Sequence, residues 1–555
     1  MKTKNFFVKL LMLYLLSLCF FSGCKKPDAN ITWSVDTDVY TSPVLVRFVN
    51  ANDNSTNQPS NFSVQISGKN ANSVVMAGGG TNFQVKNGFL PLELDGSLTP
   101  TPANPIIFNV YANIPGFAPI SQTFIITTDT VPFDHTILAV EYASPANGTS
   151  ATIQQTGLTG GVSAATSIST STTSTMTETS TISIPDGTQM LDSSGNLINA
   201  SQLETKVVHF GTATQSSMDA FPGGFNPVDV TRDGQAVHNV TFKTGGFLSI
   251  KMFAGNGEVK FFSKPITVQA QLNNALINPL TQQPVEVGDT IPIWSMNEQT
   301  GQWKYESTAT VAMDNSGKLN VQFQASHLSC WNIDWWFYSP CTNALGVTVH
   351  IGIPNFRPQY ELTLVDVNGQ YLGGLYTDDT WATVTTLYDG LTTVIPVVPN
   401  IGQARLVVYT RRGDPTSLIA QTDLFNPCTQ GNIVINIVPP APPKLINVQL
   451  YVQGKCTNKN VIANVGAWVF IHKLNDPWYN WKYVFVHKGQ ASFQLEQGAT
   501  YYIETYYAGG YYTTQGVFDP NDTNFPTQNG LGGTATYNAA TNTVTANISF
   551  TLNCF

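Results

Sequence analysis

The 555-residue chain is poor in charge: charged residues make up 11% of it, less than half the share of an ordinary soluble domain. That scarcity excludes a coiled coil and a charged disordered tail. Basic residues are in deficit, with Lys+Arg 26 against Asp+Glu 35 and a net charge of −9. A phosphate backbone is therefore repelled overall, and no nucleic-acid partner is expected. Cysteine is sparse at 7. None of the 7 His falls into His-Glu-x-x-His or His-x-His, so the usual zinc spacings are missing. A P-loop, a dinucleotide fingerprint and Gly-x-Ser-x-Gly are missing too, and no pair of carboxylates stands out from the turn acids. No metal and no cofactor is expected. Long helical periodicity is absent, and beyond the first residues no run approaches the 20 apolar residues of a membrane span.

What is present begins with an address. Lys2, Lys4 and Lys9 lead into an apolar run from Phe6 to Phe21, the two parts of an export signal. The run ends in Phe21-Ser22-Gly23-Cys24, which resembles a bacterial lipobox. In that family signal peptidase II cleaves before the Cys, whose thiol carries diacylglycerol. The resemblance implies lipidation (palmitate among the acyl chains) at Cys24, a membrane partner through that anchor, and an outer-membrane site, since Lys25 follows the Cys rather than Asp. Residues 24–30 then read as a polar tether. Cleavage takes three Lys and no acid from the net charge of −9, leaving −12.

The rest reads as strands. Leu319, Val321, Phe323 and Ala325 share one parity, as do Val544, Ala546, Ile548, Phe550 and Leu552. A period of two is that of a half-buried strand. Between such runs stand turn signals such as Asn87-Gly88, Asp192-Ser-Ser-Gly195, Asp314-Asn-Ser-Gly317 and Asp366-Val-Asn-Gly369, whose residues tolerate positive φ. No Glu follows them at EF-hand spacing. The expected fold is all-β: tandem antiparallel β-sandwich modules, Ig-like or prealbumin-like, after the signal peptide. Pro-rich breaks at Thr130-Val-Pro-Phe133, Tyr338-Ser-Pro-Cys341 and 438–444 place modules at about 30–132, 133–339, 341–438 and 445–555, with 439–444 a stiff linker. The Ser/Thr stretch 162–181 is either a flexible stalk or a polar sheet edge. The strand-like Ile182-Ser-Ile184 running out of it favours the edge.

In the last two modules a Cys stands near the first strand and another near the last. Cys456 shares parity with Ile446 to Val452, and Cys554 with Val544 to Leu552, so disulfides Cys456–Cys554 and Cys341–Cys428 are expected. Cys330 is left unpaired and reads as a buried core thiol. The last module also carries Asp476-Pro-Trp-Tyr-Asn-Trp481. Trp478, Tyr479 and Trp481 are either an aromatic core with inter-module packing or a stacking surface for a sugar or peptide. Trp331, Trp335, Trp336, Phe337 and Tyr338 read as an interface with the third module.

Gly489-Gln-Ala-Ser-Phe-Gln-Leu-Glu-Gln-Gly498 with Tyr501-Tyr-Ile-Glu504 resembles carboxypeptidase regulatory-like modules, which implies a prealbumin-type sandwich with a structural role. In the second module Ile184-Pro-Asp-Gly-Thr188, Phe221-Pro-Gly-Gly224, Gly288-Asp-Thr-Ile-Pro-Ile-Trp294, Thr300-Gly-Gln-Trp303 and Ser326-His-Leu-Ser-Cys-Trp-Asn332 are similar in order to modules of cartilage intermediate layer proteins and to ZU5 and GAIN modules. That resemblance implies scaffolding or adhesion. His327-Leu328-Ser329 also matches the triplet at which GAIN and some ZU5 modules cut themselves, so it reads either as a self-cleavage site between Leu328 and Ser329 or as a strand end whose imidazole caps a turn. In those modules the hydroxyl attacks the preceding carbonyl with the His as base. The sequence thus points to a lipid-anchored envelope protein that binds, adheres or scaffolds without turnover. Its partner would be a surface glycan or an envelope protein. The rivals are a glycan-binding accessory lipoprotein of an uptake system and a secreted hydrolase with a scattered loop site.

Overall fold

A computed structural model describes residues 32–552 apart from 37–40, 102–103, 127–132, 226, 239, 338–340, 355, 357, 371, 373–383, 396–397, 399, 411–416, 442, 477–480, 508–509, 518–523 and 529–530. Cys24, Trp478, Tyr479 and Cys554 lie outside the described residues. The fold is all-β. Among the described residues there is one α-helix, the five-residue Gln215–Asp219. Two compact units form: residues 40–442, and residues 443–555 together with the N-terminal residues up to 39.

Three sandwiches share one closing rule. In the first, the opening strand Thr41–Asn50 pairs in parallel with Phe133–Ala139. In the third, Leu345–His350 pairs in parallel with Asn432–Asn436. In the C-terminal unit, Leu445–Cys456 pairs in parallel with Thr543–Leu552. The last strand covers the edge that the first strand would otherwise leave open. The sheets are therefore not purely antiparallel, and two boundaries move. Phe133–Ala139 closes the first sandwich rather than opening the second. Trp33–Asp36 adds a parallel strand beside Val461–Asn464 in the C-terminal unit rather than starting the first module.

The second module is larger. The strands Thr166–Ser169, Ser180–Ile184, Phe261–Gln271 and Leu319–His327 form one layer. Gln202–Phe210, Thr241–Ala254, Cys330–Phe337, Thr290–Asn297 and Gln302–Thr310 form the other. Between them lie Ile182, Val268, Val321, Phe323, Leu248, Ile250, Trp331, Ile333 and Trp335. The second layer is buried on both faces. Its outer face (Val208, Phe210, Phe242, Phe247, Trp294) packs against Ala118 and Tyr142 of the first sandwich and Val365, Val407 and Tyr409 of the third. This is why Thr241–Ala254 is buried at nearly every position and shows no alternation. Trp331 and Trp335 point into the second module's own core, and Phe337 reaches the core of the third. Thr166–Ser169 is the edge of its sheet, so this part of the Ser/Thr stretch is a polar edge.

The Asx turns follow from their residues. In each of Asp192, Asp314 and Asp366, Oδ1 accepts from the amides two and four residues on, at 2.8–3.0 Å. The fourth residue of each turn, Gly195, Gly317 or Gly369, has φ near +80°, a conformation glycine adopts without steric cost.

Candidate functional site

Two places gather side chains with binding chemistry. The first is an open groove of about 530 Å³ in the second module, lined among others by Lys260, Glu298, Gln302, Lys304, Glu306 and His327. Glu306 is its centre. Ser295 Oγ donates to Oε1 at 2.8 Å, Lys304 Nζ stands 3.1 Å away, and His327 Nε2 is 3.3 Å from the same oxygen. Burial raises the Glu306 carboxyl, but hydrogen bonds from His327, Ser295 and Lys304 outweigh it and hold it down at about 2. The His327 ring lies on Trp331 at 5.0 Å.

This geometry favours the strand-end reading of His327-Leu328-Ser329. His327 is engaged with Glu306, whereas Ser329 Oγ donates to the Met296 carbonyl at 2.5 Å. The base and the nucleophile are turned to different partners. The intervening Leu328 amide donates to Lys260 O at 2.9 Å, and none of residues 327–329 has positive φ. The triplet is an ordinary strand end.

Below the groove floor Lys251 is buried between two acids, 2.9 Å from Glu258 and in contact with Glu298. Cys330 Sγ donates to Glu298 Oε1 at 3.1 Å. Burial and then the Glu298 charge push the Cys330 thiol well up, so it stays protonated and inert. The sequence reading missed Glu306, Glu298 and Lys251. The available signal was a lysine inside the apolar run Phe247-Leu-Ser-Ile-Lys-Met-Phe253, where an unpaired charge is not tolerated.

The second place is the C-terminal sandwich. Its four-stranded sheet runs Trp481–Val486, Ala467–Lys473, Thr500–Tyr507, Gly510–Val517. Val469, Ile471, Val486, Tyr501 and Ile503 face the core. Register puts the opposite parity on the outer face: Trp468 beside Phe485, Phe470 beside Tyr483, and His472 between Trp481 and Tyr502. Trp468 and Phe470 are buried, and Trp481, Tyr483, Phe485 and Tyr502 are half-buried. Trp481 lies 4.8 Å from the His472 ring, and Phe485 lies 5.4 Å from Trp468. The sheet thus carries an aromatic layer on the side away from its aliphatic core. Lys482, on the core parity, donates to Gln494 O at 2.7 Å, and burial lowers its amine to about 8.

Cys341 and Cys428 are bonded, with Cα atoms 4.8 Å apart. The parallel closure explains it, because Gly346 is level with Asn432, so the residues just before both strands meet at one end. Cys456 is also disulfide-bonded, and its register partner Leu552 is two residues short of Cys554. Cys330 is free and buried.

No known protein family and no curated protein matches the chain. Among solved structures, the C-terminal fragment of the pilus adhesin SpaC from Lactobacillus rhamnosus GG aligns at 11% identity, over 38% of this chain and 98% of that one, with a TM-score of 0.14. The major pilin subunit BcpA of Bacillus cereus aligns at 9% identity, over 92% of this chain and 99% of that one, also at 0.14. Likeness at that level carries no weight for this chain's role, which is read below from its own residues.

Proposed function

We propose that this chain is a lipid-anchored protein of the cell envelope, held at the outer membrane through Cys24, that binds at the cell surface without turnover. The observation that carries the binding role is the outer aromatic face of the C-terminal sheet, where Trp481, Tyr483, Phe485 and Tyr502 are half-buried in register. Flat rings arranged in a row stack on sugar faces, and truncating such an anchor often weakens binding by more than about 2 kcal/mol. A surface glycan is therefore the ligand class that fits best. An extended peptide of an envelope protein uses the same rings edge-on.

The test is binding of the mature chain to a glycan array and to envelope extracts, with Trp481→Ala and Tyr483→Ala beside wild type. Expected is loss of binding at an unchanged unfolding midpoint. Retained binding with lowered stability would make the aromatic layer structural. Membrane fractionation of Cys24→Ala checks the anchor: release from membranes or failure to mature is expected, and unchanged fractionation with full palmitate labelling refutes it.

A further inference from the structure

The junction between the second and third sandwiches buries a lysine against an aspartate. The strand Thr241–Ala254 pairs with Gln202–Phe210 only from Phe247 onwards. Its earlier residues are met instead by the 366–370 turn of the third sandwich. Gln370 Nε2 donates to Phe242 O at 2.7 Å, and Thr244 N donates to Gln370 Oε1 at 2.9 Å. This docking brings Asp366 Oδ2 to 3.2 Å from Lys243 Nζ, with the two side chains 5% and 3% exposed. Lys243 Nζ nevertheless has no partner in hydrogen-bond geometry. The other oxygen, Asp366 Oδ1, is held by the amides of Asn368 at 2.8 Å and Gln370 at 2.9 Å. Asp334 sits on the adjoining strand, paired in register with Thr244 and fully buried. Burial pushes its carboxyl well up, and it is the weaker of the two carboxyls acting on the Lys243 amine.

We propose that Lys243 and Asp366 become joined by an amide bond that fastens the second sandwich to the third. The elements of the reaction are in place. The first step passes one proton from Nζ to Oδ2, which the dry junction favours because burial penalises the charged pair and lowers the Lys243 amine. The free amine then attacks Cγ, as a desolvated lysine does toward carbonyl carbon. The negative charge that develops on Oδ1 falls on two amides already aimed at it. A second proton moves from Nζ to Oδ2, the Cγ–Oδ2 bond breaks, and Oδ2 leaves as water while Nζ–Cγ remains. One C–N bond forms and one C–O bond breaks, nothing is oxidised or reduced, and no co-reactant is needed. Fixing both groups in a dry, packed junction supplies the proximity that free amine and carboxylic acid lack in water.

Tryptic mapping of the full-length protein purified from membranes, reduced and denatured, decides this. Expected is a branched peptide carrying Lys243 and Asp366, lighter by one water than its two arms together, with no cleavage after Lys243. Lys243→Arg, which keeps the charge, should lose the branched peptide, and so should Asp366→Ala. If wild-type protein instead yields both linear peptides in full, with cleavage after Lys243, the pair is a plain ion pair and the proposal is overturned. That readout on wild type stands whether or not either variant folds.

Discussion

The two ends of the Thr241–Ala254 strand each bury a lysine, and they meet burial in opposite ways. At the groove end, burial pulls the Lys251 amine down, but Glu298 and Glu258 outweigh it and hold the amine above its ordinary range. At the junction end, Asp366 and, more weakly, Asp334 pull the Lys243 amine up, and burial still wins. His209, across from Leu248 on the neighbouring strand, extends the series. Its Nδ1 has no partner, and burial alone lowers the ring to about 3. In this core each base is set by the balance between its burial and the pull of the carboxyls beside it. One end keeps a permanent ammonium, and at the other end burial lowers the amine.

The largest effect should come from breaking the charged end. Lys251→Ala leaves the 6%-exposed Glu298 side chain without its cation. Removing one partner of a buried pair typically destabilises by about 3–5 kcal/mol. Urea unfolding should show that loss, and Lys251→Met with Glu298→Leu should recover most of it. A loss under about 1 kcal/mol for the single variant would mean that Glu298 finds water there.

His209 sharpens the comparison through pH. Its folded pKa of about 3 lies below the ordinary 6.5. The unfolded chain therefore binds the proton first on acidification. The stability His209 contributes is complete above pH 6.5 and is lost as the pH falls towards 3, by up to about 5 kcal/mol at 1.4 kcal/mol per pKa unit. His209→Leu should flatten the unfolding free energy over that window. An unchanged slope would assign the acid sensitivity to other groups.

The smallest effect tests whether the second carboxylate matters. Glu258 is a third exposed and is shared by Lys251 and Lys260. Glu258→Gln should lower stability by about 1 kcal/mol, in the range of a screened pair. A loss as large as that of Lys251→Ala would make Glu258, not Glu298, the partner that keeps the ammonium.

Strand content and turns were legible because both are local. The alternation at Leu319–Ala325 matches the observed burial except at Asn320, which is buried too, and Asp192, Asp314 and Asp366 bend the chain with their own carboxylates. The His327-Leu328-Ser329 triplet could be read two ways because a catalytic pair needs direction as well as adjacency. Glu306 lies 21 residues upstream of His327 and takes the imidazole. The module boundaries at 30 and 133 shifted for a related reason: a closing strand is chosen by the edge it covers, which no linker composition encodes.

By itself, then, the sequence determined an all-β chain, its turns, and which residues of each alternating strand turn inward. Those properties depend on side-chain period and backbone preference within a few residues. Tertiary structure alone decided that Thr241–Ala254 would be covered on both faces. It also decided that Asp366, from another sandwich, would stop 3.2 Å from Lys243, and that Lys251 would receive two carboxylates and His209 none. Burial and counter-charge are set by what arrives from distant parts of the chain, and they fix which of these bases is an ion, which is a nucleophile and which is silent.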